Sequence, residues 1–190
     1  MNKHKNNCNG FTLIELMVTI ALVAILLAVA APSLSTFQRN AELTSFSNSM
    51  LAGINAARGE AMKRGRYALV VPTDGTNWGS GWLVFVDVDR SQTYTAANDI
   101  TILTKEASPS YLTITPKSGT SAADSPPYIM FDASGYSKTK SGSFGALTFT
   151  IARNDIATSD YSQTRRISIS SGGRVKICKP ISASDLNCPI

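Results

Sequence analysis

Hydrophobic and polar positions divide this chain into three regimes. Residues 1–10 are polar and carry only positive formal charge, whereas from Leu16 to Ala31 every residue is apolar except Thr19. About twenty residues at 1.5 Å each cross the hydrocarbon core of a bilayer, so 11–31 predicts a transmembrane helix. Lys3 and Lys5 in front of it predict that everything after Pro32 lies on the far side of the membrane. Pro32 closes the apolar run and removes a backbone donor, which predicts a kink or local break. Apolar residues then recur three and four apart at Leu43, Phe46, Met50, Ile54, Ala57 and Ala61, with Arg39, Glu42, Glu60 and Lys63 on other faces. The stretch 32–66 therefore predicts an amphipathic helix packed on a sheet, ending at Gly65 among basic residues that suit the negative pole of a helix.

Beyond Arg66 the period changes. Short runs rich in β-branched and aromatic residues predict strands at Tyr67–Val71, Trp82–Val88, Ile100–Leu103, Tyr111–Thr115, Tyr128–Phe131, Ala146–Ile151, Arg165–Ser170 and Arg174–Ile177. The stretch from Thr115 to Pro127 reads as a surface loop. The fold class is α+β, a long N-terminal helix on an antiparallel sheet head formed by 67–190. Ser171-Gly172-Gly173 signals a turn in the last hairpin, and alternation places Ile167, Ile169, Val175 and Ile177 on one face. The other face then carries Arg166, Ser168, Arg174 and Lys176, and with Arg165 and Lys179 this makes a basic patch.

Composition removes most enzymatic readings. The sole histidine is His4, which precedes the apolar helix, so the rest of the chain has no imidazole for a catalytic triad or a zinc site. No phosphate-binding loop occurs, Gly79-Ser80-Gly81 lacks the further spacing of a dinucleotide turn, and no cofactor is called for. The charge of +5 falls to +3 without Lys3 and Lys5, too mild by itself to argue for nucleic acid. Cys178 and Cys188 form an even pair that reads as a disulfide in an exported domain and as two thiols otherwise. Trp78 and Trp82 read as core aromatics flanking a glycine turn. Asp87, Asp89 and Asp99 surround a polar loop but lack the full ligand spacing of a calcium loop, so they read as turn carboxylates and no metal is assigned.

A secretory signal peptide explains the basic start, the apolar run and the small residues at Ala28-Val29-Ala30, but it has no need of Glu15 within Gly10-Phe11-Thr12-Leu13-Ile14-Glu15-Leu16. A carboxylate at the head of a membrane helix is costly and marks a specific partner. At these residues the chain resembles the type IV pilin and type II secretion pseudopilin superfamily. The resemblance implies a leader of residues 1–10, cleavage between Gly10 and Phe11 by a prepilin peptidase, N-methylation of Phe11, and pairing of Glu15 with the N-terminal amine of a neighbouring subunit. It also implies a single pass of the bacterial inner membrane with the head in the periplasm, followed by incorporation into a fibre.

Three further segments occur in the order used by the FimT/FimU/GspH branch: Trp78-Gly79-Ser80-Gly81-Trp82-Leu83-Val84-Phe85-Val86-Asp87, Ile129-Met130-Phe131-Asp132-Ala133-Ser134-Gly135 and Gly173-Arg174-Val175-Lys176-Ile177-Cys178. They imply a minor pilin that primes or caps a pilus with other minor pilins and the major pilin, or the corresponding minor pseudopilin of a type II secretion system. In DNA-uptake members a Gly-Arg-x-Arg motif contacts DNA. Here Lys176 takes the last place, keeping the charge without the bidentate fork, so Arg165, Arg166, Arg174, Lys176 and Lys179 are the candidate DNA contacts on an otherwise solvated strand face.

Overall fold

The structure, a computed structural model, describes residues 11–157 and 159–188; the proposed leader with Gly10 lies outside them. The chain divides into two compact units at Asn40 and Ala41. The first is helical from Leu13, and its described side chains from Phe11 to Arg39 are all exposed. Helix α1 runs Leu13–Arg64, remains helical through Pro32, and bends between Ala28 and Ser33. Neither Leu13–Ala28 nor Ser33–Arg64 is alone long and apolar enough to cross a membrane; taken together the bent pair reaches the length and composition of a span.

In the second unit the expected stripe is the buried one. Leu43, Met50, Ile54, Ala57 and Ala61 are fully buried and Phe46 nearly so. Gly65 ends α1 at a φ of 64°, the left-handed conformation that lets a glycine terminate a helix. Among the described residues nine strands follow: β1 Tyr67–Pro72, β2 Trp82–Asp87, β3 Ile100–Lys105, β4 Leu112–Pro116, β5 Ile129–Phe131, β6 Ser137–Lys138, β7 Leu147–Arg153, β8 Thr164–Ile169 and β9 Val175–Cys178.

They form two antiparallel sheets rather than one, in the orders β3-β2-β1-β5-β6 and β4-β7-β8-β9. The division follows from side-chain direction. Ala68, Val70, Val84 and Val86 turn to the α1 stripe, as do Leu147, Phe149, Ile151, Ile167 and Ile169 of the second sheet, so the helix gives both sheets one core. The opposite face of the first sheet buries Leu69, Leu83, Phe85, Tyr128 and Met130 in a smaller cluster. Every residue of β2 is therefore buried, and the strand reads as a continuous apolar run rather than an alternation. Trp82 meets Phe46 edge to face at 5.2 Å, and a Cβ on Gly53 would come within 2.8 Å of the Trp82 indole nitrogen. The segment expected as a surface loop is partly tucked in: Ala122 is buried, and its carbonyl accepts the Trp78 indole N–H at 2.8 Å.

Candidate functional site

Two places carry the chemistry singled out in the sequence: the start of α1, and the last hairpin with the segment that follows it. At the helix start, Thr12 Oγ1 accepts the Glu15 N–H at 3.3 Å, while Glu15 Oε2 accepts the Thr12 N–H at 2.9 Å and its hydroxyl at 2.8 Å. This is a reciprocal capping box that satisfies two donors left over by the first turn. Its spacing is present in the sequence as Thr12-Leu13-Ile14-Glu15. Thr19 likewise turns its hydroxyl onto the Leu16 carbonyl at 2.8 Å, so the Thr12, Glu15 and Thr19 side chains are met from within the helix. Around them Leu13, Ile14, Ile25 and Leu26 stand more than half exposed.

The basic hairpin is built by a joint between α1 and both sheets. Gly173 is buried at a φ of 77°, and a Cβ there would overlap the Gly135 carbonyl. Arg58 of α1 donates from Nε to the Gly135 carbonyl at 3.0 Å and from Nη2 to the Gly172 carbonyl at 3.4 Å. One guanidinium thereby holds the turn after β5 and the turn between β8 and β9 against the helix. Sequence reading missed Arg58, which lies beside the apolar stripe and whose spacing gives no hint of its partners. The glycines of two of the resembling segments are required by this close approach.

The five candidate basic residues do not form one patch. Arg174 and Lys176 are exposed, as is Lys179. Lys176 also donates to the Asn187 carbonyl at 2.9 Å. Arg166 is 2% exposed, with Nη1 on the Cys188 carbonyl at 2.6 Å and Nη2 on the Ala183 carbonyl at 3.2 Å. The alternation that put it beside Lys176 is correct, since it pairs with Cys178 across the ladder. The residues after β9 fold back over it, however, and remove it from the accessible set. Arg165 is half-buried, donating to the Ser162 and Thr164 carbonyls and to the Thr44 hydroxyl at 3.1 Å, and burial lowers its pKa. It stays charged, since arginine has a very large margin before deprotonation. Cys178 and Cys188 are disulfide-bonded, with Cα atoms 5.7 Å apart.

Asp87, Asp89 and Asp99 do converge, each offering an oxygen within 4.8 Å of the others. These are the described residues that could hold a cation. Their oxygens are already engaged by the loop: Asp87 accepts the Ser91 and Gln92 N–H groups, and Asp99 those of Val88 and Thr95. Asp89 accepts Ser91 N–H and the Asn98 amide. Arg90 and Gln92 sit at φ of 62° and 57° within this loop. Burial pushes the Asp87 carboxyl up, aided by the charge of Asp99, whereas bonds from Ser91 and Asn98 hold Asp89 down.

The family model described as type II transport protein GspH matches residues 47–173, and that of the prokaryotic N-terminal methylation motif matches residues 5–31. No curated protein matches the chain. Two crystal structures of the type IV minor pilin FimU from Pseudomonas aeruginosa are similar at 22% identity, with TM-scores of 0.53 and 0.54. They cover 73% and 77% of this chain and 98% of their own. At that identity the likeness concerns the fold.

Proposed function

The chain belongs to the family of the type II transport protein GspH, and on that premise we propose that it is a minor pilin, a non-enzymatic subunit that primes or caps a type IV pilus. The observation that carries this reading is a helix with apolar residues exposed around it and one carboxylate at its start. In this reading a prepilin peptidase cuts between Gly10 and Phe11 and the new Phe11 amine is methylated. The apolar stretch is then held in the bacterial inner membrane, with the head in the periplasm, until the subunit joins other minor pilins and the major pilin.

Glu15 is the register element. A carboxylate and an amine in a low-dielectric helix bundle each need the other, so their pairing fixes the axial position of a subunit more than it adds net stability. Before assembly the Glu15 carboxylate is satisfied by Thr12 of its own helix. Assembly exchanges that partner for the neighbour's amine, and Pro32 marks where the assembly segment ends. The test is Glu15→Ala with export and membrane insertion monitored alongside fibre content. The variant should remain in the membrane fraction and be depleted from sheared fibres; normal incorporation would remove the role assigned to Glu15.

The description of the matched family model favours a second reading, a minor pseudopilin of a type II secretion system. Deleting the gene separates the two: loss of surface pili supports the first, and loss of protein secretion with pili intact supports the second. A DNA-receptor role rests on the exposed Arg174, Lys176 and Lys179.

A further inference from the structure

The outward face of the second sheet is partly roofed. Thr150 pairs with Arg166, and Ala152 with Thr164, across β7 and β8, on the face opposite the one that Phe149, Ile151 and Ile167 turn to the core. Two segments without strand structure stand over this face: residues 154–163, which join the two strands, and the segment closed by the Cys178–Cys188 disulfide. A cavity of about 240 Å³ lies between them, with Asp160 from the first segment and Ala183 from the second in its lining. It falls wholly within the second unit and is independent of the role given to the start of α1.

Arg166 lines this cavity with a donor unmet. It is 2% exposed; Nη1 and Nη2 are taken by the Cys188 and Ala183 carbonyls, while its Nε–H is buried and has no acceptor among the described residues. A buried donor costs free energy until something accepts from it. The space beside it exceeds the roughly 10–15 Å³ that one water needs. Asp160 brings a charge of the other sign to the same cavity. Its Oδ1 accepts the Ser162 N–H at 2.9 Å, and bonds from Ser162, followed by the charges of Lys179 and Arg153, hold its carboxyl below the usual range, so it is ionised at neutral pH. The surrounding charges are matched one to one. Arg153 holds Asp155 through two bonds, at 2.8 and 2.7 Å, Asp185 lies in the field of Arg166, and Asp160 in that of Lys179. A lone anion or a lone cation would unbalance this set, whereas a ligand with one charge of each sign leaves it even.

We propose that the cavity binds a small zwitterion of the α-amino-acid class. Its carboxylate accepts from Arg166 Nε, where Thr150 and Thr164 add hydroxyl donors, and its ammonium faces Asp160. Both ends then make charge-assisted hydrogen bonds, the stronger kind. Besides these polar groups the lining offers the methyls of Ala152, Ala157 and Ala183, which suit a short apolar side chain and no third charge. The volume is below the roughly 300 Å³ at which pockets for drug-sized ligands begin, and so selects a ligand of amino-acid size. L-Alanine is the simplest probe.

Nuclear magnetic resonance of the detergent-solubilised full-length protein, with isotope-labelled arginine, tests this through the Arg166 Nε–H itself. That resonance is the one lost in Arg166→Lys, and if the variant does not fold, assignment through the Arg166 backbone replaces it. L-Alanine should move the resonance saturably, while acetate and ethylammonium, which each carry one pole, should bind at least about tenfold more weakly. Asp160→Asn keeps an acceptor for the Ser162 N–H and should weaken alanine about tenfold without weakening acetate. Alanine should also raise the melting temperature of the wild type more than that of Asp160→Asn. No movement of the resonance up to the solubility limit of alanine leaves the cavity to water and overturns the proposal. A response to acetate equal to that to alanine overturns it in favour of a simple anion site. Alanine binding unchanged in Asp160→Asn overturns the place given to the ammonium, and with it the zwitterion.

Discussion

Replacing Arg166 with Met separates a buried structural arginine from a DNA contact. The variant keeps the length of the side chain but leaves the Cys188 carbonyl, which is buried, without its donor, and deprives the more accessible Ala183 carbonyl of another. An unsatisfied buried acceptor costs about 1–3 kcal/mol, and a charge-assisted bond at the surface adds less. Removing the Arg166 Nε, which has no acceptor among the described residues, returns part of this. A net loss of about 2–4 kcal/mol follows. At about 2–4 °C per kcal/mol for a domain of this size, the melting temperature should fall by roughly 5–15 °C. Thermal unfolding of the detergent-solubilised full-length protein, followed by circular dichroism, measures it. Arg174→Gln with Lys176→Gln, both exposed, should change the melting temperature little, since surface substitutions stay within about 0.5 kcal/mol each. Arg166→Met melting with wild type, while weakening DNA binding, would refute the assignment of Arg166 to the fold.

Three further outcomes follow from the same contacts. Gly173→Ala should destabilise the head by more than about 1 kcal/mol, from the positive φ together with the overlap on Gly135, and a melting temperature equal to wild type would contradict the joint at Arg58. Asp87 has a folded pKa above its unfolded one, so its stabilising share is full below the ordinary aspartate range and is lost as pH rises through the elevated value. The melting temperature of Asp87→Asn relative to wild type should therefore increase from pH 4 to pH 7, and a flat difference would speak against desolvation as the cause. With Arg166 buried, the exposed Arg174, Lys176 and Lys179 can neutralise about three phosphates, so any duplex DNA binding should be weak and show a log–log salt slope near −3, falling to near −1 in the double Gln variant; binding that survives the double substitution unchanged would place the contact elsewhere.

The sequence was informative wherever a period was repeated. Six stripe residues of α1 and the inward face of the last hairpin could be named because burial recurs at 3.6 or 2 residues. Strand β6 has no such signal, since Ser137-Lys138 is two polar residues recruited by pairing with β5. The split into two sheets was not legible because it depends on which strands share α1, a choice among distant segments. Arg166 misled for a related reason: alternation reports the face of a strand, but not whether an aperiodic segment twenty residues later will cover that face. Asp87 ends an ordinary strand pattern, and its burial beside two other carboxylates arises from the fold of the loop 88–99. Thr12 and Glu15, by contrast, carry their whole geometry in a four-residue spacing.

The joint at Arg58 also says how the head meets mechanical force. If the chain is the fibre subunit proposed above, tension on the fibre reaches the head through α1, and a head held to that helix by apolar packing alone would resist sliding only as well as side chains interlock. Arg58 adds a directional catch. Its bonds to Gly135 and Gly172 reach a turn associated with each sheet from one point on the helix axis, so axial displacement must strain both attachments together.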